Sequence, residues 1–314
     1  MKAAVVTTLG QPPEYLDFQD PVAGHGETVV QVRAAPLSPI VRQLAAGRHY
    51  SSAAAAGFVP GVDGVGVAPD GRRVYFLFPK APFGSMGERA LASETMLAAV
   101  PDALSDVQAA GIATGGLASW VALTRRAPPE PGSTVLINGA TGAAGSMAVQ
   151  IARHLGAGKV IGTGRNRSRL DALDLDTAIS LDDGADDRLR ETFAQGVDIV
   201  LDFVWGEPAA RVIAAAAANR GSRSGEPRLR YVQLGTVAGD QIALRGDALR
   251  STGLELLGSG IGSVAIDQLL QGAGELLAAA PSAGFKAQVE TLSLSDVAAA
   301  WAGDPAVRYV LTSG

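Results

Sequence analysis

Three glycines and three arginines carry the first recognisable chemistry in this chain. Gly139, Gly142 and Gly145 are spaced G-x-x-G-x-x-G directly behind the apolar run Val135-Leu136-Ile137. Ser146-Met147-Ala148-Val149-Gln150-Ile151-Ala152 follows with helical periodicity. A strand, a glycine-rich turn and a helix, in that order, form a dinucleotide site. Glycine permits φ > 0 and leaves no Cβ between the main chain and a pyrophosphate. The helix then turns its free N–H groups and the positive end of its dipole toward the phosphates. Asn138, Gly139, Ala140, Thr141, Gly142, Ala143 and Ala144 are the expected lining. A tight strand-to-helix turn without a ligand would share this pattern. A second apolar run, Lys159–Gly164, places strand, helix and strand within the ~30 residues of a βαβ unit and favours the nucleotide.

The residues after the second strand select the cofactor. NAD sites place Asp or Glu there to hold the ribose 2′-OH. Here Gly164 stands in that place, followed by Arg165, Asn166, Arg167, Ser168 and Arg169. No carboxylate repels a 2′-phosphate, and guanidinium forks suit one. The expected cofactor is therefore NADPH, with Arg165 and Arg169 at its phosphate. Ser168 with Asp171 reads as a capping box for the next helix.

These groups need a large scaffold, and the composition allows one. The chain has 314 residues, 47% hydrophobic and 18% charged, with a net charge of −5. That balance gives no overall attraction to nucleic acid or an acidic membrane. The absence of cysteine removes disulfides, thiolate metal sites and cysteine nucleophiles. Met1-Lys2-Ala3-Ala4-Val5-Val6 turns polar too soon for a secretory signal, and no apolar run reaches the ~18 residues of a membrane helix. A soluble cytoplasmic protein is expected.

Residues before Ser133 read as β-rich. Strands are expected at Ala3 to Thr7 and Thr28 to Ala35, a helix at Pro39 to Ala46, and a loop from Gly47 to Pro60. A hairpin-like pair follows through Pro69-Asp70-Gly71. Ser105 with Gln108 reads as a capping box, and Leu117 to Leu123 as a separate helix. From Ser133 the period changes. Strands at Thr134–Asn138, Lys159–Thr163, Ala178–Leu181, Val197–Phe203, Arg230–Leu234 and Leu254–Leu257 alternate with helices, as in a doubly wound parallel sheet. Ala209 to Ala218 is one such helix, with Gly221 as its cap. A helix at Ile266 to Ala280, a strand at Phe285 to Glu290, a helix capped by Ser295 and a strand at Arg308 to Thr312 complete the reading.

With Pro60-Gly61-Val62-Asp63-Gly64-Val65-Gly66 ahead of Asn138-Gly139-Ala140-Thr141-Gly142-Ala143-Ala144-Gly145, the chain resembles the medium-chain dehydrogenase/reductase superfamily. Its closest likeness is to the zinc-free quinone oxidoreductase branch, which includes zeta-crystallin. The resemblance implies an α/β fold: a β-rich GroES-like catalytic domain at 1–115 and 282–314, and a doubly wound Rossmann dinucleotide-binding domain at 116–281. The family's Gly-His-Glu zinc segment stands here as Gly61-Val62-Asp63, and the remaining histidines, His25, His49 and His154, are scattered. No metal is expected.

The resemblance also implies roles. Tyr50 matches a tyrosine that faces the nicotinamide, either donating a proton to a developing enolate or phenolate or forming a pocket wall. Ser38 stands where relatives often carry Asn beside the nicotinamide, and Ala118-Ser119 replaces a Thr-Ala pair. Phe203, Val204, Leu234, Gly235, Thr236, Gly258 and Ser259 follow parallel strands, where ligands bind in open α/β sheets. Asp63 is expected to support its turn and Trp120 to be core. The implied activity is hydride transfer from NADPH to a small electrophile, a quinone or activated enone. Reduction of carbonyls or imines, or non-catalytic NADPH binding, are the competing readings. Relatives pair edge strands across a twofold axis, so Leu254-Glu255-Leu256-Leu257-Gly258 is the expected homodimer edge.

Overall fold

The computed structural model describes residues 1–48, 55–218, 220–304 and 307–313. They fall into two units, Met1–Thr114 with Asp267–Gly314, and Gly115–Ile266. The first unit opens on β1 (Lys2–Val5) and β2 (Glu14–Asp17), an antiparallel pair. Then come β3 (Glu27–Leu37), α1 (Pro39–Ala45), β4 (Asp63–Val67), β5 (Arg73–Leu77), β6 (Arg89–Ser93) and β7 (Leu97–Ala99). Pro39 sits in the first turn of α1, where its missing N–H costs nothing.

The helix α2 (Asp106–Val121) is one element that runs on into a π-turn at Ala122–Arg126. The two helices expected here are therefore one. Residues 106–126 are long and apolar enough for a membrane span by composition, but 67% of that window is buried as core. Ser105 does cap α2, accepting the Gln108 amide at 3.2 Å. The Gln108 side chain does not reach back to complete a box. It exchanges two 3.1 Å hydrogen bonds with the Ala287 main chain instead.

That contact explains the displaced strand near the C-terminus. The expected strand at Phe285 to Glu290 forms later, as β14 (Val289–Ser293), because Ala287 is tied to Gln108. The second boundary, expected at 281/282, lies at Ile266/Asp267. The helix there (Ile266–Ala283, α8 in chain order) packs on the first unit, with Gly274 facing Ala98. Ser293, not Ser295, caps the short turn before α9 (Val297–Ala302). The strand β15 (Arg308–Thr312) inserts between β14 and β3, giving the sheet order β14-β15-β3-β4-β5-β7 with β6 also paired to β3. Val30, Val32, Phe76, Met86, Val297 and Leu311 are among its buried core.

The second unit alternates strictly. Its elements are β8 (Thr134–Asn138), α3 (Ala143–His154), β9 (Lys159–Gly164), α4 (Arg167–Asp171), β10 (Thr177–Ser180) and α5 (Ala185–Ala194). β11 (Ile199–Asp202), α6 (Gly206–Ala216), β12 (Arg228–Gln233), α7 (Gly246–Arg250) and β13 (Gly253–Gly258) follow. The six strands are all parallel, ordered β10-β9-β8-β11-β12-β13. The winding reverses between β8 and β11, and open α/β sheets bind ligands at that switch point. Apolar side chains such as Leu136, Ile161, Val200 and Tyr231 fill the core. α6 ends at Ala216 with Ala217 as its cap, before Gly221, whose amide instead donates to Glu226 at 2.9 Å. β13 is the outer strand, with Leu256 partly exposed and Glu255 held by Arg228.

Candidate functional site

The parallel register lines up one row across the sheet: Thr163, Asn138, Asp202, Gln233 and Gly258 are successive partners. The expected cofactor residues of the second unit all follow this row or belong to it. Gly139 adopts φ +90°, the left-handed region, and its amide and that of Ala140 donate to the Thr163 carbonyl at 3.2 and 2.9 Å. Gly142 is the N-cap of α3 with no side-chain cap, so the first-turn amides of Ala143 and Ala144 are open donors. Gly145 brings helix and turn together: a Cβ there would lie 2.2 Å from the Gly139 carbonyl oxygen. This is an anion cradle made of main chain, and it fits a pyrophosphate.

At the adenosine side, β9 ends at Gly164, where a Cβ would press on Thr141 at 2.8 Å. Arg165 is exposed and makes no hydrogen bond or ion pair among the described residues. Arg167 is committed, bonding both carboxylate oxygens of Asp171 at 2.9 and 3.1 Å. The capping expectation here is corrected: Asn166 caps α4, accepting the Arg169 amide at 3.0 Å, and Ser168 lies inside the helix and donates to Asn166. Both side chains could cap, and the one at the first non-helical position does so.

Beyond β11 and β12 the chain is equally tied. Phe203 is buried, and its amide donates to the Asn138 carbonyl at 3.1 Å. The amides of Leu234 and Gly235 donate to the Asp202 carbonyl at 2.7 and 3.2 Å, and Thr236 follows them. The Ser259 amide donates to Gln233 at 3.1 Å, and Arg126 holds the Gly258 carbonyl at 3.0 Å.

Sequence reasoning missed the group behind these turns. Asp202 is fully buried; its Oδ1 accepts from Asn138 Nδ2 (2.9 Å) and the amides of Val204 (3.0 Å) and Trp205 (3.2 Å). Its Oδ2 accepts from the Tyr231 hydroxyl at 2.8 Å. Thr163 Oγ1 donates to Asn138 Oδ1 at 2.6 Å and accepts the Gly139 amide at 3.3 Å. Burial pushes the Asp202 carboxyl above its ordinary range, and the four donors oppose it. The available signal was a carboxylate ending the apolar run Ile199-Val200-Leu201. Trp205 takes φ +53°, a strain of about 1–3 kcal/mol for a non-glycine residue.

Two expected residues lie in the first unit. Ser38 is the N-cap of α1, buried, with a hydroxyl that has no partner among the described residues. Such an orphan fits a residue that serves a ligand. Asp63 opens β4 and is buried; the Tyr75 hydroxyl (3.0 Å) and the Thr114 hydroxyl both donate to its Oδ2. Its Oδ1 has no partner among the described residues, and burial raises its pKa to about 6. Support of its own turn is the expected role of Asp63; its hydrogen bonds instead tie β4 to β5 and α2. Trp120 is buried, as expected, and stacks on His154. Tyr50 lies outside the described residues, as does His49.

A doubly wound parallel sheet with an anion cradle at its switch point defines a dinucleotide-binding protein. The family model described as zinc-binding dehydrogenase matches residues 143–278. The probable NADPH-dependent quinone reductase of Emericella nidulans is 30% identical over 276 residues, covering 76% of this chain and 76% of that protein. The quinone oxidoreductase of Thermus thermophilus, solved also with NADPH, matches with TM-score 0.82 at 26% identity, over 99% of this chain and 100% of that one. A mycobacterial quinone oxidoreductase shares the fold at TM-score 0.83 and 23% identity, over 99% of each chain. The chain belongs to the medium-chain dehydrogenase/reductase superfamily, in its quinone oxidoreductase branch.

The matching family model names zinc, and the residues present do not fit it. Tetrahedral zinc sites draw on Cys, His and carboxylate. The chain has no cysteine, and Val62 packs against the hydrophobic core at the position of the family's ligand histidine. Asp63 is engaged by Tyr75 and Thr114, and no cluster of three ligand-type side chains occurs among the described residues.

Proposed function

We propose that this protein is a zinc-independent, NADPH-dependent oxidoreductase that delivers hydride to a quinone or activated enone. The observation that carries this is the glycine cradle closing on a second strand that ends in Gly164-Arg165 with no carboxylate. The similarity to NADPH-dependent quinone reductases supports it. NADPH supplies the hydride when bound. The open first-turn amides of Ala143 and Ala144, beside the turn from Gly139 to Gly142, would hold its pyrophosphate, and Arg165 with Arg169 the 2′-phosphate. Phe203, Leu234, Gly235, Thr236, Gly258 and Ser259 would hold the nicotinamide half. The proton that follows comes from Tyr50 or from water. The absence of cysteine from the chain, and of any cluster of three ligand-type side chains among the described residues, supports metal independence.

The test is NADPH oxidation with an ortho-quinone, a simple enone, an aldehyde and a cyclic imine, run with and without chelator and on Tyr50→Phe. Turnover of quinone or enone, unchanged by chelator, is expected. Turnover of only the aldehyde or imine would reassign the substrate class, and NADPH binding with no turnover would leave a non-catalytic binder. Full turnover by Tyr50→Phe would exclude that residue as proton donor.

Cofactor choice gives a second expected result. Arg165→Ala loses about tenfold in kcat/KM for NADPH, ~1.4 kcal/mol, and changes little with NADH. Arg167→Ala changes neither, because its guanidinium already serves Asp171. Equal losses with both cofactors would place Arg165 away from the 2′-phosphate.

A further inference from the structure

We infer that Asp202 is the positioning residue for the cofactor, a single carboxylate that sets the turns after β8 and β11 in register with each other. The inference rests on the NADPH reading above. Its Oδ1 holds Asn138, the residue ahead of Gly139, and also holds the amides of Val204 and Trp205. The turns touch as well: a Cβ on Gly139 would meet the Val204 side chain at 2.8 Å. The second turn is anchored onward, since the Ala238 amide donates to the Val204 carbonyl at 2.7 Å. Gly206 could not carry a Cβ, which would lie 2.6 Å from the Ala238 carbonyl oxygen. Between these anchors Trp205 is held at φ +53°, its ring edge-on to Tyr231 at 6.4 Å. A residue keeps such a conformation only where its surroundings over-determine it. Here the Oδ1 bonds to the amides of Val204 and Trp205 provide that constraint.

The two oxygens have separable duties. Oδ1 accepts the three bonds that shape the turns, and among the described residues Oδ2 accepts only the Tyr231 hydroxyl. An asparagine can keep a carbonyl oxygen at Oδ1 and turn its amide to the Tyr231 oxygen. Asp202→Asn therefore preserves the turns, and Asp202→Ala releases them. Tyr231→Phe removes a buried bond but leaves Oδ1 untouched.

The experiment is NADPH titration followed by Trp emission and steady-state kinetics, beginning with the unaltered protein. Failure of that protein to bind NADPH would sink the cofactor reading itself. Given binding, Asp202→Ala is expected to raise Kd and KM for NADPH tenfold or more, with kcat at saturation within about threefold and a shifted emission from Trp205. Asp202→Asn stays within about threefold in Kd. Tyr231→Phe melts earlier yet binds NADPH as before. If Asp202→Ala fails to fold, the other two decide. A tenfold loss of affinity in Asp202→Asn, or an affinity in Tyr231→Phe that falls in step with its stability, would reduce Asp202 to ordinary core support and overturn the inference. Unaltered affinity in folded Asp202→Ala would do the same.

Discussion

Gly145→Ala is expected to weaken NADPH binding by about fiftyfold or more and to cost about 2–4 kcal/mol of stability. In an ordinary helix this exchange stabilises by up to about 1 kcal/mol. Here the added Cβ would lie 2.2 Å from the Gly139 carbonyl oxygen, 2.7 Å from the Ala140 Cα and 2.9 Å from the Gly139 carbonyl carbon. All three are main-chain atoms, so no side chain can swing away, and α3 must lift off the turn it closes. Gly142→Ala is the control. Gly142 has φ −79°, and the nearest atom to its Cβ would be 3.6 Å away, so its stability should change by no more than about 0.5 kcal/mol. Denaturant unfolding and NADPH titration of the two variants check this. Equal behaviour of Gly145→Ala and the unaltered protein would show that helix and turn are not in contact at this point.

The second large effect is a pH dependence of stability from Asp63. Burial raises its folded pKa from 3.8 to about 6, with the Thr114 and Tyr75 hydroxyls and the charge of Arg308 opposing. Between those values the native state binds more protons than the unfolded chain, so this group's contribution falls as pH rises from about 4 through 6. A shift of this size amounts to about 3 kcal/mol. Asp63→Asn does not titrate, and it can keep an oxygen toward Tyr75 and Thr114 with its amide at Oδ1, which has no partner among the described residues. The stability of the unaltered protein relative to Asp63→Asn should therefore drop by about 2 kcal/mol between pH 4 and pH 8, the rest of the shift lying below pH 4. Exposed carboxylates cancel in that difference because both proteins carry them. Urea unfolding across the range measures it, and a difference independent of pH would show that Asp63 titrates normally.

The parallel half of the fold was legible because its signals are local. An apolar run, a glycine where φ turns positive and an amphipathic helix are each read within about a dozen residues, and the cradle from Asn138 to Ala144 is one such stretch. The turns behind β11, β12 and β13 were also legible, since a strand's end can be read from its own residues. What escaped depends on residues far apart in sequence. Asp202 acquires its role only when β11 lies between β8 and β12, which brings Asn138 and Tyr231 to its two oxygens. The displaced strand near the C-terminus follows from Gln108 capturing Ala287, a partner 179 residues away. At α4, Asn166 and Ser168 are both competent caps, and tertiary placement of the helix start chose between them.

The insertion of β15 between β14 and β3 has a consequence for how the chain is made. A ribosome releases β3 early and β15 much later, with the whole of Gly115–Ile266 in between. The dinucleotide unit is contiguous and can finish while synthesis continues. The first unit cannot, because Leu294, Val297, Ala300 and Leu311 of its core have not yet emerged. Until they do, the end of β3 from Ala35 to Leu37 lacks the strand it pairs with, although β6 already covers Glu27 to Gln31, and such open edges are where nascent chains associate. Vectorial synthesis therefore completes the chain of the dinucleotide unit before that of the unit holding Ser38 and Asp63. Termination after Ile266 but before β15 leaves a completed dinucleotide unit joined to a sheet that lacks β15.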